Sequence, residues 1–160
     1  MSTNSDLITS FYESFERKDY EAMNACYHPS IRFSDPVFQD LEGGEVKAMW
    51  HMLCERGTDL VVTFSDVTAI DDHGEAHWEA TYTLAGSDRQ IHNVIEAQFL
   101  LRDGLIHRHI DSFDLWKWTR MALGTPGTLL GWSGPLKNKV RDTGRRQLDR
   151  FMAEHPEYSA

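Results

Sequence analysis

Cysteine is scarce in this chain, with 2 residues among 160, Cys26 and Cys54. Both sit in apolar helical patterns, so they read as buried free thiols and exclude a disulfide framework. No apolar run reaches the roughly 18 residues of a membrane span. The N-terminus has no basic region followed by a long apolar stretch, so no signal peptide is expected and the chain reads as cytoplasmic. Glycine patterns that cradle phosphate are missing: there is no Gly-x-Gly-x-x-Gly and no Walker-type loop, which removes support for nucleotide binding. Positive charge is also short. Against 25 Asp and Glu stand 16 Lys and Arg, a formal net charge of -9. That balance argues against nucleic acid as the main partner, because phosphate binding needs a positive surface. The exception is residues 137–150, where Lys137, Lys139, Arg141, Arg145, Arg146 and Arg150 face only Asp142 and Asp149. This run reads as a solvated helix face. Histidine is plentiful, but its spacing points to no metal. His107 and His109 alternate along a strand, so their rings point to opposite faces, and His77 and His92 lack ligands at a known spacing.

What is present is an ordinary soluble composition, 41% hydrophobic and 26% charged, in a length that builds one domain around a single core. Residues 5–18 place Leu7, Ile8, Phe11 and Phe15 on one helical face, with Thr3 and Asp6 as an N-terminal cap. Asp19 caps a second short helix carrying Tyr20, Met23 and Cys26, which His28-Pro29 stops. After Gly43-Gly44 a third helix shows Val46, Met49, Trp50, Leu53 and Cys54 as one buried stripe, ended by Gly57. From residue 58 the period changes. Four runs rich in Val, Ile, Thr and aromatics, at about 58–70, 75–85, 89–102 and 105–117, read as strands. Asp72-His73-Gly74, Gly86-Ser87-Asp88 and Asp103-Gly104 mark the turns between them. Helices followed by a meander indicate an α+β domain with its sheet curled around helices. Residues 122–135 read as a loop anchored by Leu129, Leu130 and Trp132. A last helix follows at about 137–153, with Val140, Leu148, Phe151 and Met152 facing inward.

The most informative stretch is Ser34-Asp35-Pro36-Val37. A carboxylate ends the β-type run Ile31-Arg32-Phe33, a proline follows at once, and a helical segment comes next. Proline disfavours helix in the residue before it, so Asp35 is held extended at a strand end. Among apolar neighbours such a carboxylate is a candidate proton-transfer base. It is equally a candidate cap for the turn that follows.

The order helix, helix, strand with Asp-Pro, helix, four-strand meander resembles the nuclear-transport-factor-2-like superfamily over residues 5–123. That group includes ketosteroid isomerases, SnoaL-like polyketide cyclases, limonene-epoxide hydrolases and scytalone dehydratase. Two motifs carry the likeness. Lys18-Asp19 followed sixteen residues later by Asp35 is similar to the ketosteroid isomerase pattern, in which that aspartate moves the proton. Asp103-Gly104-Leu105-Ile106-His107-Arg108-His109-Ile110-Asp111-Ser112-Phe113-Asp114 looks like the last hairpin of epoxide hydrolases and polyketide cyclases, where the first aspartate of Asp-x-Phe-Asp lines the cavity. The resemblance implies a cone-shaped α+β barrel: a strongly curved, mostly antiparallel sheet wrapped around N-terminal helices. Residues 124–160 would pack on the same domain as a loop and C-terminal helix. It also implies an apolar cavity and a homodimer formed through the sheet face. Leu115, Trp116 and Trp118, near the end of the final strand, add weight to that interface.

Alternation along each strand, set in register with that family, then implies the faces. With Asp111 inward, His109 and Phe113 point inward too, as do Asn93, Ile95, Ala97, Phe99 and Leu101, and Trp78, Ala80 and Tyr82. The chain departs from its relatives in its donors. The oxyanion-hole positions of ketosteroid isomerases correspond to Phe11, beside Tyr12, and to Ala97. The arginine and aspartate of limonene-epoxide hydrolases correspond to Trp78 and Ala80. Asp35, Asp111 and His109 remain as catalytic candidates. Tyr12, Phe15, Trp50, Trp78, Tyr82, Asn93, Ile95, Phe99 and Phe113 remain as candidate ligand-binding residues. Two carboxylates in one apolar chamber would have their pKa values driven apart, one serving as base and one as acid. This set suits cofactor-free isomerisation, cyclisation, dehydration or water addition on a small apolar molecule bearing oxygen. Asp111 and His109 also have a structural reading, as a hydrogen-bond acceptor and a satisfied core histidine. The fold would then serve as a non-catalytic binder or a dimeric interaction module.

Overall fold

A computed structural model describes residues 3–84, 86–124 and 133–159. Helix α1 (Asn4–Glu16) opens with a reciprocal capping box: Thr3 Oγ1 accepts the Asp6 N–H and the Asp6 carboxylate accepts the Thr3 N–H, satisfying two otherwise orphaned donors. It buries Ile8, Phe11, Tyr12, Ser14 and Phe15. Helix α2 (Tyr20–Ala25), capped by Asp19, leads straight into β1 (Tyr27–Ser34). His28 and Pro29 therefore lie inside the first strand.

No helix follows Pro36. Asp35 Oδ1 accepts the N–H groups of Val37 (2.7 Å) and Phe38 (2.6 Å), and the Asp35 N–H donates to the Phe38 carbonyl (2.8 Å). This aspartate-centred turn folds the chain back, so that β2 (Leu41–Glu42) pairs antiparallel with β1. Helix α3 (Gly44–Arg56) comes next and buries Val46, Ala48, Met49, Trp50, Met52 and Cys54. Leu53, expected in that stripe, is 37% exposed. The helix has neighbours on two sides, so its buried band differs from a single stripe.

Strands β3 (Val61–Ile70), β4 (His73–Thr83), β5 (Gln90–Arg102) and β6 (Leu105–Ser112) complete one sheet in the order β2-β1-β6-β5-β4-β3. Only β1 and β6 pair in parallel. The sheet is mixed and open, with β2 and β3 as its edges, rather than a closed barrel. The fold class is the α+β cone anticipated from the element order. The last strand is shorter than its composition suggests. Asp114 accepts the Lys117 N–H and starts helix α4 (Leu115–Leu123), so Leu115, Trp116 and Trp118 are helical and not at a strand end. Helix α5 (Gly134–Glu154) begins at Ser133, whose hydroxyl accepts the Leu136 N–H, with Pro135 in the first turn. A 3-10 turn (Pro156–Tyr158) follows. The loop anchors Leu129, Leu130 and Trp132 lie outside the described residues.

Helix α5 packs on α3 through Leu148 and Phe151, both buried, and through the Arg145–Glu45 ion pair. Val140 and Met152 are only half-buried. The helix also lies over the Asp35 turn. Arg141 Nε donates to the Pro36 carbonyl (2.9 Å), and Gly144 is so close to Val37 that a Cβ there would press on its side chain, while touching Phe38 at ordinary contact. Cys26 and Cys54 are buried and free, and burial pushes each thiol up to about 11. Among the described residues no helix is long and apolar enough to cross a membrane.

Gly44 is where the C-terminal turn meets α3, because a Cβ there would fall on the Tyr158 carbonyl. Gly44→Ala is expected to lower stability by about 1–3 kcal/mol through overpacking, despite the better helix propensity of alanine. Urea unfolding and the protease sensitivity of the C-terminal turn would measure it.

Candidate active site

The parallel register of β1 and β6 sets Phe33 opposite His109 and Ser34 opposite Ile110. One step further stand Asp111 and, just past the end of β1, Asp35, near enough that the charge of Asp111 acts on its carboxyl. Alternation turns Phe33 and Asp35 to the same face as His109 and Asp111. Two acidic residues 76 positions apart in sequence thus meet at one end of the sheet's concave side.

Asp35 has a double character. Its Oδ1 is engaged by the turn that follows, so it does cap that turn. The residue is half-buried by area, yet its carboxyl is crowded by protein on most sides. That desolvation pushes its pKa up to about 7, the negative charge of Asp111 adds to the rise, and the Phe38 and Val37 N–H groups hold it back. A carboxyl poised there exchanges a proton near neutrality.

Asp111 and His109 are fixed by a buried hydrogen-bond chain. Trp50 Nε1–H donates to Tyr27 Oη (2.7 Å), and Tyr27 Oη lies 2.8 Å from His109 Nδ1. His109 Nε2 lies 2.9 Å from Asp111 Oδ1, which also accepts from Trp78 Nε1 at 3.4 Å. A carboxylate only accepts, so in the neutral ring the hydrogen sits on Nε2, and Nδ1 accepts from the Tyr27 hydroxyl, whose oxygen takes the indole N–H. His109 is then the tautomer with hydrogen on Nε2, and that N–H donates to the carboxylate. Both imidazole nitrogens are used and His109 is 0% exposed, whereas Asp111 keeps 4%. His109 is therefore a positioning residue that holds the buried Asp111 carboxylate. Among the described residues the donors to Asp111 are His109 and Trp78.

The other candidates divide into two groups. Tyr12, Phe15, Trp50, Ile95 and Phe99 are at most 2% exposed, and Trp78 is 7% exposed. Their rings pack edge to face or stacked on one another, as in Phe15 on Trp50 and Trp78 and Tyr12 on Phe64. They make the centre of the cone solid. Tyr82, Asn93 and Phe113 are half-buried and form the reachable rim with Asp35. Tyr82 Oη accepts Trp118 Nε1–H (3.0 Å), which leaves its own proton free to donate. Burial, the charge of Asp35 and the sharing of its oxygen with Trp118 act on this hydroxyl, with burial dominant, and its pKa is raised. Tyr12 Oη is buried with no hydrogen-bond partner among the described residues, and burial followed by the charge of Asp111 raises its pKa. Two hollows among the described residues lie elsewhere on the surface. One, of about 680 Å³, is lined by Asp88, Arg89, Lys117 and Arg120; the other, of about 590 Å³, by Ser30, Arg32, Glu42 and His107.

Tyr27 was not anticipated at the site, and Trp118 was expected at the sheet-face interface. Tyr27 shares strand parity with Ile31 and Phe33, so alternation read back from Phe33 would have placed it inside. Trp118 was hidden by reading α4 as strand.

A family model described as a SnoaL-like domain matches residues 8–109. No curated protein matches. Several solved structures share the fold. An NTF2-like protein of unknown function from Burkholderia pseudomallei has a TM-score of 0.66 at 15% identity, covering 78% of this chain and 100% of that one. TsrD from Streptomyces laurentii has a TM-score of 0.63 at 24% identity, with 76% and 96% covered. An LEH-like epoxide hydrolase from M. tuberculosis has a TM-score of 0.63 at 12% identity, with 80% and 96% covered.

Two outcomes follow from this geometry. Asp35 has its folded pKa raised from 3.8 to about 7, so the folded state holds a proton that the unfolded chain releases. Stability from this group is full below pH 3.8 and lost as pH rises through 7. Asp35→Asn keeps the Oδ1 acceptor of the turn. It should flatten the decline between pH 5 and pH 8 by on the order of 1–3 kcal/mol, measured by urea unfolding at both pH values. Tyr27→Phe would strand the Trp50 N–H and the His109 Nδ1 lone pair without opening a cavity. It is expected to cost about 2–6 kcal/mol, one to three for each of the two unsatisfied buried groups, in the same assay.

Proposed function

The chain belongs to the SnoaL-like family, within the nuclear-transport-factor-2-like superfamily, and from that premise we propose that it is a cofactor-independent acid/base enzyme. Its substrate is a small apolar molecule bearing oxygen, and its reaction is an isomerisation, cyclisation, dehydration or epoxide opening. The observation that carries this reading is the placement of Asp35 beside Asp111, with Asp35 titrating at about 7.

In this reading Asp35 is the base. Near neutrality an appreciable fraction is ionised, and a base of that pKa takes a proton from carbon or water with little mismatch. The Tyr82 hydroxyl, its oxygen already accepting from Trp118, donates to the substrate oxygen as charge develops there. Asp111, oriented by His109 and Trp78, fixes the far polar end of the site and keeps Asp35 from ionising too readily. Phe113 and the indole of Trp118 supply the apolar wall at the rim. The fold alone does not choose among reactions, since sites rather than scaffolds carry chemistry. The epoxide hydrolase among the structural neighbours makes epoxide opening one arm of the test.

A second reading has its own support. The central rings are sealed, and Phe11 and Ala97 supply no oxyanion donors, which favours a binder that retains an apolar ligand at the rim without turning it over.

The purified chain would be incubated in D₂O with small ketones, enones and epoxides, following carbon–deuterium exchange by NMR and diol formation by mass spectrometry. Wild type should show activity that climbs as pH rises through 7, and Asp35→Asn should lose about 10²–10⁴-fold. Equal rates in wild type and variant would remove Asp35 from the mechanism. Retention of a co-purifying molecule without turnover would favour the binder.

A further inference from the structure

Away from the Asp35 site, the structure brings three metal-competent side chains together where the C-terminal helix meets α3. His51 and Glu55 lie one turn apart on α3, with His51 Nε2 3.6 Å from Glu55 Oε2. His155, the residue that ends α5, faces them: its ring centroid is 4.9 Å from that of His51. One ligand atom from each of the three residues lies within 4.8 Å of the others.

The hydrogen bonds around these rings favour metal-ready tautomers. His155 Nδ1 lies 2.9 Å from the Phe151 carbonyl. A carbonyl only accepts, so Nδ1 carries the hydrogen and Nε2 of the neutral ring presents its lone pair. His51 Nδ1 lies 2.8 Å from Tyr158 Oη. With Nδ1 donating to that oxygen, His51 Nε2 is likewise free on the Glu55 side. A second nitrogen held by a carbonyl or hydroxyl is how metal-binding histidines are ordinarily oriented. Packing fixes both rings as well. His51 stacks on Tyr20 (3.8 Å, 12°), and His155 stacks on Phe151 (4.0 Å, 17°). Glu55 is largely exposed while His51 is mostly buried, so an ion would enter from the solvent side. Glu21 and Glu157 add negative charge around His51, and Arg56 is held over the Phe151 ring.

We propose that His51, Glu55 and His155 form a site for one divalent zinc-class cation, which clamps the C-terminal helix to α3. Two imidazoles and one carboxylate suit Zn²⁺, whose nitrogen and oxygen ligands sit about 2.0–2.2 Å away, and suit Mg²⁺ or Ca²⁺ poorly because those ions prefer all-oxygen sets. Ligands on a tetrahedral ion lie about 3.3–3.5 Å apart at those bond lengths. The His51–Glu55 pair is already near that separation, and His155 needs only a small inward shift. The ion binds the folded chain and not the separated helices, so it stabilises the packing that also seats Arg141 and Gly144 on the Asp35 turn. The other histidine cluster, on the outer face of the sheet, is built differently. His77 sits between Glu79 and Glu96, and His92 pairs with the second oxygen of Glu79, so each nitrogen already has its own carboxylate and no common point is left.

The test uses the full-length chain stripped with EDTA and titrated with Zn²⁺ by calorimetry, and with Co²⁺ by visible absorption. Wild type should bind one ion per chain, give the intense d–d bands of a four-coordinate cobalt site, and unfold at a higher temperature with Zn²⁺. His155→Ala and the surface variant Glu55→Gln should each weaken Zn²⁺ by at least about tenfold and bleach the cobalt spectrum. Glu55→Gln removes a ligand without touching the ring packing, so its effect does not depend on a folding defect. His77→Ala should change nothing. No Zn²⁺ heat in wild type, unchanged binding in both ligand variants, or loss of binding in His77→Ala instead, would overturn the assignment.

Discussion

The parallel pairing of β1 with β6 is the constraint on which the candidate site depends. Every other strand contact in the sheet is antiparallel, so this seam is where an early segment is laid beside the last strand. It requires β2, α3 and strands β3 to β5 to lie between the two strands in sequence. In return it gives a fixed register in which residue 33 pairs with residue 109, and it brings the two acidic residues beyond them within reach of each other's charge. A slip of one residue would turn Asp35 or Asp111 to the opposite face and dissolve the pair.

The buried chain from Trp50 through Tyr27 and His109 to Asp111 holds that register from the inside. Its donors run in one direction, beginning at an indole that can only donate and ending at a carboxylate. Each polar atom of the chain has its partner, which keeps a histidine and an aspartate tolerable in a centre otherwise made of rings. The chain joins α3, β1, β6 and β4, so the polar contacts tie together the elements that the aromatic packing only presses together. Asp111 is given donors from two side chains. Asp35 has the backbone N–H groups of its turn, and desolvation first, then the charge of Asp111, drive it toward neutral pH.

Helix α5 connects the two ends of the molecule. It lies on α3, reaches the Asp35 turn through Arg141 and Gly144, and ends in the ring cluster around His51. The basic run that reads in sequence as a solvated face is that in part. Two of its members also have structural partners, Arg145 on Glu45 and Arg141 on the Pro36 carbonyl. A clamp at the His155 end would therefore bear on the turn that holds the base, through a helix and not through the sheet.

Local chemistry legible in the sequence determined most of the elements: the Thr3 box, the Asp19 cap, the Gly57 stop, the Asp103-Gly104 turn, and the alternation that put Trp78, Ile95, Phe99, His109 and Asp111 inside. These are short-range effects of φ preference, capping and periodicity, and they need no knowledge of distant residues. The same signals misread residues 113–117 as strand, because an aromatic-rich stretch looks alike in either state until Asp114 caps a helix there. Only the tertiary structure decided the rest: which rings fill the cone and which stand at its rim, that His109 is saturated by Tyr27 and Asp111, and that His51 meets His155 across 104 positions. These outcomes depend on the relative placement of elements distant in sequence, which is set by the packing of the whole core. Local patterns carry no term for that.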